Sequence, residues 1–504
     1  ITLEEGVVYR VGEVGVESQI RDIDPKDVEY LVRIKSGKRY NASQIEDTVD
    51  ALTEVAGLEG YAFVNIRPRI RREREKRIIN ITFLILDAPR TYVERVDIVG
   101  NVRTLDRVIR REMRVVEGDA FNTALLRRSR VRVRGLGYFE EVEVDQVEGT
   151  SPDRTLVTAT VQERSTGELS IGAGVSSVDS IIGEISIRER NLLGKGQDMR
   201  LSVSISGRRQ QIDLGFTEPY FLNRNLSAGF DVFHRRANFR ESSFEQSSTG
   251  GSLRAAFPIT EYLSMGVRYT VRTDNVKADL FDSIFIQEGS FLTSSVGYTL
   301  NFDIRDDRLK PTRGFQVVLS QDVAGLGGNV HYLRSRLNYD WYHPVPLLRE
   351  WTLNLSMEAG YILGLGEDIR INERFFLGGA RLRGFKQAGI GPRLDQMNDS
   401  ALGGNTFMAG SVEVFIPLGA VEEFGISASA FFDFGTLYGI DGELLDGQDN
   451  PYPINGTGSL RMSAGIGFAW KSPFGPIRFD FAKAIKKEDF DETEFFQFNV
   501  GTRF

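Results

Sequence analysis

The stretch Phe496-Gln497-Phe498-Asn499-Val500-Gly501-Thr502-Arg503-Phe504 decides the fold that this sequence predicts. Apolar side chains and Thr502 occupy every second position, while polar side chains and Gly501 lie between them. This period of two indicates a β-strand with one apolar and one polar face. We expect a strand at the end of the chain to pair with a segment far back in the sequence, in a sheet that closes on itself or leaves an edge. An edge strand of a soluble sandwich is the alternative.

The composition fits a chain rich in strands and turns. Of the 504 residues, 41% are hydrophobic, yet no stretch approaches the roughly 20 consecutive apolar residues that a membrane-spanning helix needs. If the chain spans a membrane, it therefore does so as a barrel, because lipid does not tolerate an open sheet edge. The chain contains 52 glycines, 34 phenylalanines and 16 tyrosines but 3 tryptophans, which suits a barrel with aromatic girdles. Composition alone also allows a large soluble β protein.

Residue usage argues against several kinds of chemistry. The chain has no cysteine, and its three histidines are scattered at His234, His331 and His343, so disulfides are excluded and a zinc site is not expected. The net charge of −8 gives no broad basic surface for nucleic acid. We therefore expect no cofactor, no metal and no nucleic-acid partner. The missing initiator methionine and signal peptide indicate a processed or truncated product.

One unit occurs twice before residue 167. Gly37-Lys-Arg-Tyr-Asn41, followed by a glycine and an aromatic residue at Gly60-Tyr61, returns as Gly118-Asp-Ala-Phe-Asn122, followed by Gly137-Tyr138. The spacing between the glycines differs between the copies by about one helical turn. Each copy predicts the order strand, helix, helix, strand, strand, which describes a small two-layer α+β module with an exposed sheet edge. The predicted modules span residues 1–90 and 91–166.

Each module carries local signals for its helices and strands. In the second copy, Val93 to Val99 alternate as a strand, Thr104 caps a helix that includes Leu105, and Asn122 caps the next helix. In the first module, the sequence predicts helices at 25–34 and 43–57 and strands at 62–71 and 78–86. In the second, it also predicts strands at 139–147 and 156–162.

The strand hairpin of the first module is unusually basic. Its cations are Arg67, Arg69, Arg71, Arg72, Arg74, Lys76 and Arg77, set against Glu73 and Glu75. A solvated hairpin tip is the favoured interpretation, and a docking surface for an acidic partner or anionic headgroups is the alternative.

From Gly167 onward, strand alternation replaces helical periodicity. Leu201, Val203 and Ile205 alternate with serines, which favours a lipid-facing and a lumen-facing side over a dry sandwich core. The length of residues 167–504 accommodates on the order of 16 spanning strands. The sequence thus predicts an all-β transmembrane barrel of about 16 antiparallel strands, preceded by two small α+β domains.

A barrel of this size needs something in its lumen. The candidate is the polar, glycine-rich stretch around Arg383, Gly384 and Phe385. Downstream, Phe431-Phe-Asp433-Phe-Gly435 places one carboxylate among apolar neighbours, and lipid disfavours a charge there. We expect Asp433 to point inward and to form an ion pair with Arg383.

The barrel must close where its first strand meets its last. The opening strand, predicted at 168–177, carries Leu169, Ile171, Gly172 and Gly174, and the closing strand carries Phe496, Phe498, Val500 and Phe504. Mid-strand glycines lose packing and conformational entropy, so we expect this to be the weakest junction and a lateral gate. Ile171 is expected to lie near Val500 or one of its neighbours.

Several motifs resemble one known superfamily. Arg383-Gly384-Phe385 resembles the loop-six motif of the outer-membrane assembly and two-partner-secretion superfamily, and Phe431-x-Asp433-x-Gly435 resembles its partner strand motif. The paired modules resemble POTRA (polypeptide-transport-associated) domains. Further stretches resemble the assembly factors in sequence order, namely 188–196, 217–221, 311–314 and 472–476. One departure is Leu382, where the family usually has Val or Ile; another is that assembly factors usually carry about five POTRA domains, so the chain corresponds to the last two and the barrel.

The resemblance implies a role in folding and inserting β-barrel proteins into the outer membrane, with the POTRA domains in the periplasm. The implied partners are unfolded outer-membrane protein clients, accessory lipoproteins that dock on the POTRA domains, and outer-membrane lipid. A two-partner-secretion transporter is the alternative within the superfamily, although it typically has a plug helix ahead of its POTRA domains. A diffusion porin is the alternative outside it, and a porin needs no POTRA modules.

The sequence contains little that indicates an enzyme. No Gly-x-Ser-x-Gly elbow occurs, and the turns Gly194-Lys-Gly196 and Gly172-x-Gly174 lack glycines that nucleotide-binding loops require. The acidic run from Asp441 to Asp449 misses the spacing of known calcium loops, so a solvated loop is the favoured interpretation. We expect no catalytic residue and no enzyme.

Overall fold

A computed structural model of the chain describes residues 9–278, 286–345, 348, 351–394, 400–418, 424–441, 454–456, 458–472 and 475–500. The chain divides into two compact units. The first comprises Ile1–Thr166 with Arg190–Gly196, and the second comprises Gly167–Glu189 with Gln197–Phe504.

The first module is a three-stranded mixed sheet covered by helices. Its elements are β1 (Arg10–Ser18), α1 (Pro25–Val28), α2 (Ser43–Leu58), β2 (Ile66–Glu73) and β3 (Ile78–Ile85). Strand β3 lies in the centre, parallel to β1 and antiparallel to β2. Alternate residues of β3, from Ile79 to Ile85, are buried against Leu52 and Ala56 of α2. The two remaining strands form the sheet edges.

The second module repeats this arrangement. Its elements are β4 (Tyr92–Val99), α3 (Asp106–Arg110), α4 (Thr123–Gly135), β5 (Phe139–Glu148) and β6 (Arg154–Glu163), in the sheet order β4-β6-β5. The Asn122 side chain accepts hydrogen bonds from the backbone of Ala124 and Leu125, which confirms the predicted cap of α4. The internal repeat therefore corresponds to two copies of one α+β fold.

Four local predictions are wrong in detail. The strand predicted at 62–71 begins only at Ile66, because a turn precedes it. The first helix ends at Val28 instead of residue 34, because the chain continues as a 3-10 turn, Glu29–Leu31, and then becomes extended. A register shift between Val93 and Arg95 interrupts the alternation of β4, so Val96 shares the core face with Val93. Thr104 does not cap α3, whose N-cap is Leu105. The Thr104 hydroxyl instead accepts a hydrogen bond from Asn191 Nδ2 at 2.8 Å.

Sixteen strands of the second unit form a closed antiparallel barrel, as predicted. The barrel strands are β7 (Gly167–Ser176), β8 (Ser180–Leu192), β9 (Gln197–Ser206), β10 (Arg209–Glu218), β11 (Ser227–Phe239), β12 (Phe244–Pro258), β13 (Leu263–Ala278), β14 (Gly289–Asp303), β15 (Gly314–Gly328), β16 (Tyr332–Pro344), β17 (Thr352–Gly364), β19 (Thr406–Ile416), β20 (Ile426–Tyr438), β22 (Arg461–Ser472), β23 (Gly475–Lys486) and β24 (Phe496–Val500). Two short strands, β18 (Arg393–Leu394) and β21 (Ile454–Asn455), pair with each other and are not part of the barrel.

The barrel wall has an apolar outer side and a polar inner side. On β20, Phe432 is exposed on the outer side while its neighbours Phe431 and Asp433 are buried inside. On β7 and β8, exposed aliphatic side chains such as Ile171 and Ile185 face outward in register. Within the described ranges, no helix has both the length and the apolar character needed to cross a membrane.

Candidate functional site

The candidate site is built around the segment that connects β17 to β19, residues 365–405, which we call the lumen loop. The structure describes this loop except for residues 395–399. Leu377, Leu382 and Phe385 are almost fully buried and pack against Phe407 of β19 and Leu437 of β20. The loop therefore packs against the inner wall of the barrel.

Arg383 and Asp433 form the predicted ion pair. Arg383 Nε donates to Asp433 Oδ2 at 2.8 Å and Nη2 donates to Oδ1 at 2.7 Å, so the contact is bidentate. The backbone N–H of Arg383 also donates to Oδ2, at 3.1 Å. Asp433 is 1% exposed and Arg383 6% exposed. Because both charges are buried, each needs an opposite charge nearby.

Further carboxylates surround the same guanidinium, and the sequence analysis missed them. Glu413 Oε2 lies 3.2 Å from Arg383 Nη1, and Asp480 Oδ1 lies 3.7 Å from it. Arg478 contacts both carboxylates, at 3.1 Å and 2.9 Å. Glu413 and Asp480 each sit between apolar neighbours on a strand, as Asp433 does, so the signal that found Asp433 could have found them.

The other predicted motif residues also gather at this site. The Arg383 guanidinium lies over the ring of Phe431, 3.3 Å from its centroid. Gly384 has φ +91°, and a Cβ there would lie 3.1 Å from the Cβ of Ser463. A Cβ on Gly435 would lie 3.0 Å from the side chain of Leu377. These glycines allow the loop and the wall to approach closely.

The loop is also attached to the last strand and to the turn before it, residues 487–495. Gln497 Nε2 of β24 donates to the carbonyl of Phe385 at 2.9 Å. Lys386 Nζ and Arg393 Nη1 contact the two oxygens of Glu492, at 3.0 Å and 2.9 Å. The position of the lumen loop is therefore coupled to the closing strand of the barrel.

A second anchor holds the loop on another part of the wall. Glu373, 4% exposed, accepts hydrogen bonds from Arg272 of β13 and from Arg334 of β16, the latter at 2.5 Å. Arg272 also donates to the fully buried Asp274, at 2.7 Å. No spacing in the sequence signals this contact, since Glu373 ends a short 3-10 turn, Ile371–Glu373, that lies 39 residues from Arg334 and 101 residues from Arg272 in the sequence. The two anchors fix the loop to strands β13, β16, β19, β20 and β23.

The barrel closes where β24 meets β7, which we call the seam. Asn499 lies opposite Ser176 and Val500 opposite Val175, and the N–H of Ser177 donates to the carbonyl of Phe498 at 3.1 Å. Because this register aligns Val500 with Val175, Ile171 does not face Val500. The alternative that Ile171 faces a neighbour of Val500 stays a prediction, because residues 501–504 lie outside the described residues. On its other side, Ile171 pairs with Ile185 of β8.

The remaining gate residues fall in three groups. Leu169, Gly172 and Gly174 precede Val175, the first residue of β7 with a described partner on β24. All three pair with residues of β8. Phe496 stacks near Phe479 and Phe481 of β23, with ring centroids 6.2 Å and 5.0 Å apart. Phe498 pairs with β23 as well. Phe504 lies outside the described residues. Aromatic contacts thus join β24 to β23.

Two small α+β modules and a closed antiparallel barrel, as described above, are also found together in known proteins. A family model described as the Omp85 superfamily domain matches residues 191–504, and a POTRA model, described as the surface antigen variable number repeat, matches residues 9–86 and 91–164. The chain therefore belongs to the Omp85 superfamily, and it is an outer-membrane protein with two POTRA domains.

Relatives match over the whole chain. The outer membrane protein assembly factor BamA of Neisseria meningitidis is 31% identical over 100% of this chain and 68% of its own length. The corresponding protein of Neorickettsia risticii is 30% identical over 100% of this chain and 67% of its length. The crystal structure of Haemophilus ducreyi BamA lacking POTRA domains 1–3 superposes with a TM-score of 0.84 over 98% of this chain and 100% of that chain, at 23% identity. This last likeness supports the fold.

Proposed function

We infer that this chain is an outer-membrane protein assembly factor, which folds β-barrel proteins and inserts them into the outer membrane through the seam. The observation that carries the proposal is where the barrel closes. β7 and β24 are the first and last barrel strands. On the sides away from the seam, β7 pairs with β8 and β24 pairs with β23. A client strand added between them would be paired on both sides, as each barrel strand is.

The energetics favour exchange over opening. Opening the seam into lipid would leave backbone groups without partners, at a cost of several kcal/mol for each group. If an incoming client strand replaces β24 on β7, each bond is exchanged for a similar bond, and a net hydrogen bond contributes only about 0.5 to 1.5 kcal/mol. Strand exchange at the seam therefore needs no nucleotide and no metal.

The lumen loop gives the closing strand a defined position during this exchange. Gln497 and Glu492 tie the strand and its preceding turn to the loop, while Arg383 and Glu373 tie the loop to the wall. Movement of β24 away from β7 then requires the Gln497 contact to break or the loop to move with the strand. The arrangement supports a role for the loop in setting how readily the seam opens.

The POTRA domains act on the periplasmic side in this proposal. They receive unfolded clients and provide docking surfaces for accessory lipoproteins of the assembly machinery. An extended client can add to a sheet edge through backbone hydrogen bonds, which give affinity without demanding one sequence.

Reconstitution tests the proposed function. The whole chain is placed in lipid vesicles, an unfolded eight-stranded outer-membrane protein is added, and client folding is followed by its shift in gel mobility without heating. We expect folding to be faster than in protein-free vesicles. Equal rates would contradict the proposal. Release of the client into the vesicle lumen or medium without insertion would indicate a secretion transporter, and free passage of small solutes without client folding would indicate a porin.

A further inference from the structure

The two POTRA domains differ in how their sheet edges are occupied. In the second domain, α4 lies beside the edge strand β5, and two of its arginines bond to β5 carbonyls. Arg130 Nη2 donates to Val144 O at 2.9 Å, and Arg134 Nη2 donates to Val142 O at 3.4 Å. These arginine side chains occupy acceptors that an added strand would need.

The opposite edge of the second domain is occupied too. The N–H of Val96 on β4 donates to the carboxylate of Glu117, and its carbonyl accepts from Arg110, both at 3.0 Å. Nearby, Val93 exchanges backbone hydrogen bonds with residues 118–119. Side chains and a neighbouring segment thus cover parts of both edges of this sheet.

The first domain lacks the corresponding arginines. Aligning the shared Asn41 and Asn122 places Val49 at the position of Arg130 and Thr53 at that of Arg134. Neither side chain can bond to β2 as arginine does to β5. The Thr53 hydroxyl instead donates to the carbonyl of Val49 within α2, at 2.8 Å. The two copies therefore share a fold, but among the described residues the arginine contacts that cover this edge in the second copy have no counterpart in the first.

The ladder of β2 shows which backbone groups remain open. The N–H of Leu86 donates to Asn65 O, and antiparallel pairs alternate, so the backbone groups of Ile66, Pro68, Ile70 and Arg72 point away from β3. Pro68 has no N–H, which fits a position at an edge. Among the described residues, these outward backbone groups have no hydrogen-bond partner.

The outer face of the same strand carries a row of positive charge. Arg67, Arg69 and Arg71, which we call the arginine ladder, lie opposite the neutral residues Leu84, Thr82 and Asn80 of β3. All three arginines are exposed, and none has an ion-pair partner within the part of the chain that the structure describes. The other face of β2 presents the exposed Pro68 and Ile70, followed by the exposed Arg72 near the hairpin turn.

We propose that the β2 edge binds an extended segment of a partner protein whose side chains alternate between acidic and apolar. As an added strand, the segment would place its acidic side chains beside the arginine ladder and its apolar side chains beside Pro68 and Ile70. The inference rests on the proposed function and deepens it, because it names the chemistry of a segment that the POTRA domains capture. Because the charged and apolar side chains of β2 alternate along an open sheet edge, an added strand matches them better than a flat lipid surface does.

A peptide from the chain itself supplies the probe. Residues 139–148, Phe-Glu-Glu-Val-Glu-Val-Asp-Gln-Val-Glu, alternate acidic and valine residues at Glu141 to Asp145. The fluorescent peptide is titrated against the whole chain in nanodiscs of zwitterionic lipid, and binding is read by anisotropy. We expect saturable binding that is at least about tenfold tighter than that of a peptide of the same composition without alternation. Equal binding of the two peptides would overturn the proposal.

Variants separate strand addition from simple charge attraction. Reversing the ladder (R67E, R69E and R71E) should weaken binding by about tenfold or more. The matched control R33E, K35E and K38E makes the same charge change at exposed residues of the same domain and should leave binding unchanged. Ile70→Pro keeps every arginine but removes an outward N–H, and it should also weaken binding.

Three outcomes would contradict the inference. The first is that the control triple weakens peptide binding as much as the ladder triple does, and the second is that the Ile70→Pro chain binds the peptide fully. The third is that anionic vesicles displace the peptide while Ile70→Pro has no effect on that displacement. The first two would indicate nonspecific attraction and the third a lipid site. Failure here is distinguishable from failure of the proposed function. A chain that folds clients in vesicles but does not bind the peptide contradicts only the inference, whereas a chain that binds the peptide but folds no client contradicts only the function.

Discussion

Arg383 is the residue on which the charge balance of the lumen depends. It contacts Asp433 bidentately, Glu413 at 3.2 Å and Asp480 at 3.7 Å. If Asp433 is removed, Arg383 still has two carboxylates within 4 Å. If Arg383 is removed, three buried carboxylates remain with Arg478, which contacts only Glu413 and Asp480. The two halves of the ion pair are therefore not equivalent.

We predict that Arg383→Ala destabilises the barrel more than Asp433→Ala. Leaving a buried charge unpaired costs about 3 to 5 kcal/mol, and water in the lumen reduces this cost. Arg383→Ala should lie near the upper part of that range and Asp433→Ala below it, as read from thermal unfolding in detergent. Asp213→Ala, which removes the partly exposed partner of Arg235, is the control and should have little effect. A larger effect of Asp433→Ala would contradict this account of the charges.

Gly384 is required for the shape of the loop. Its φ of +91° disfavours any side chain, and a Cβ would lie 3.1 Å from that of Ser463. We predict that Gly384→Ala lowers the unfolding temperature, with backbone strain alone costing about 1 to 2 kcal/mol. Gly183→Ala on β8 is the control, because a Cβ there meets nothing within 4 Å. Equal unfolding temperatures for the two variants would show that the loop tolerates a side chain at Gly384.

Among the elements, β6 and the segment before α3 are joined by Glu163. Its carboxylate accepts hydrogen bonds from the N–H groups of Arg103 and Thr104, at 2.8 Å and 2.6 Å. Partial burial tends to raise the pKa of Glu163, but the hydrogen bonds from Thr104 and Arg103 outweigh it and hold the pKa below its usual value. A carboxyl with a depressed pKa stabilises the folded state above the unfolded pKa of about 4.3.

We predict that Glu163→Gln destabilises the POTRA unit at neutral pH. The difference from the parent chain should shrink as the pH falls below about 5, and it should vanish below the folded pKa of Glu163, because the parent carboxyl is then protonated too. Urea unfolding of the whole chain, followed by a probe in the second POTRA domain, measures this. Glu140→Gln, at an exposed position, is the control. A destabilisation that stays constant from pH 7 to 3 would argue against the carboxylate's role.

The sequence predicted regular elements well and the lumen poorly, for a physical reason. Period-two alternation reports which face of a strand is apolar, so it located the barrel and the inward carboxylate of Asp433. It does not report which inward groups meet across the lumen. Glu373 bonds to Arg272 and Arg334 through an irregular loop, and no local pattern encodes that contact. The bulge in β4 is a register shift against β6 between Val93 and Arg95, and the alternation of β4 residues did not predict it.

At the scale of the whole molecule, the described contacts of the closing strand differ between its two sides. β24 is joined to β23 by phenylalanine contacts and to the lumen loop by Gln497. Across the seam, Val500 and Asn499 meet Val175 and Ser176 of the glycine-containing β7. We therefore expect β24 to separate from β7 before it separates from β23, which is the order that strand exchange requires.

The seam register allows a direct test of this claim. Val175 lies opposite Val500 across the seam and opposite Ile181 of β8 on its other side. Opposed residues of antiparallel strands are close enough for a disulfide. The chain therefore offers two crosslinks that share one residue, V175C with V500C across the seam and V175C with I181C beside it.

The decisive measurement is client folding by these two oxidised proteins in vesicles, with crosslinking verified on gels. We predict that the V175C–V500C crosslink abolishes the acceleration of client folding and that reduction restores it, while the V175C–I181C crosslink leaves the acceleration intact. Full client folding by the verified V175C–V500C crosslinked protein would contradict insertion through the seam.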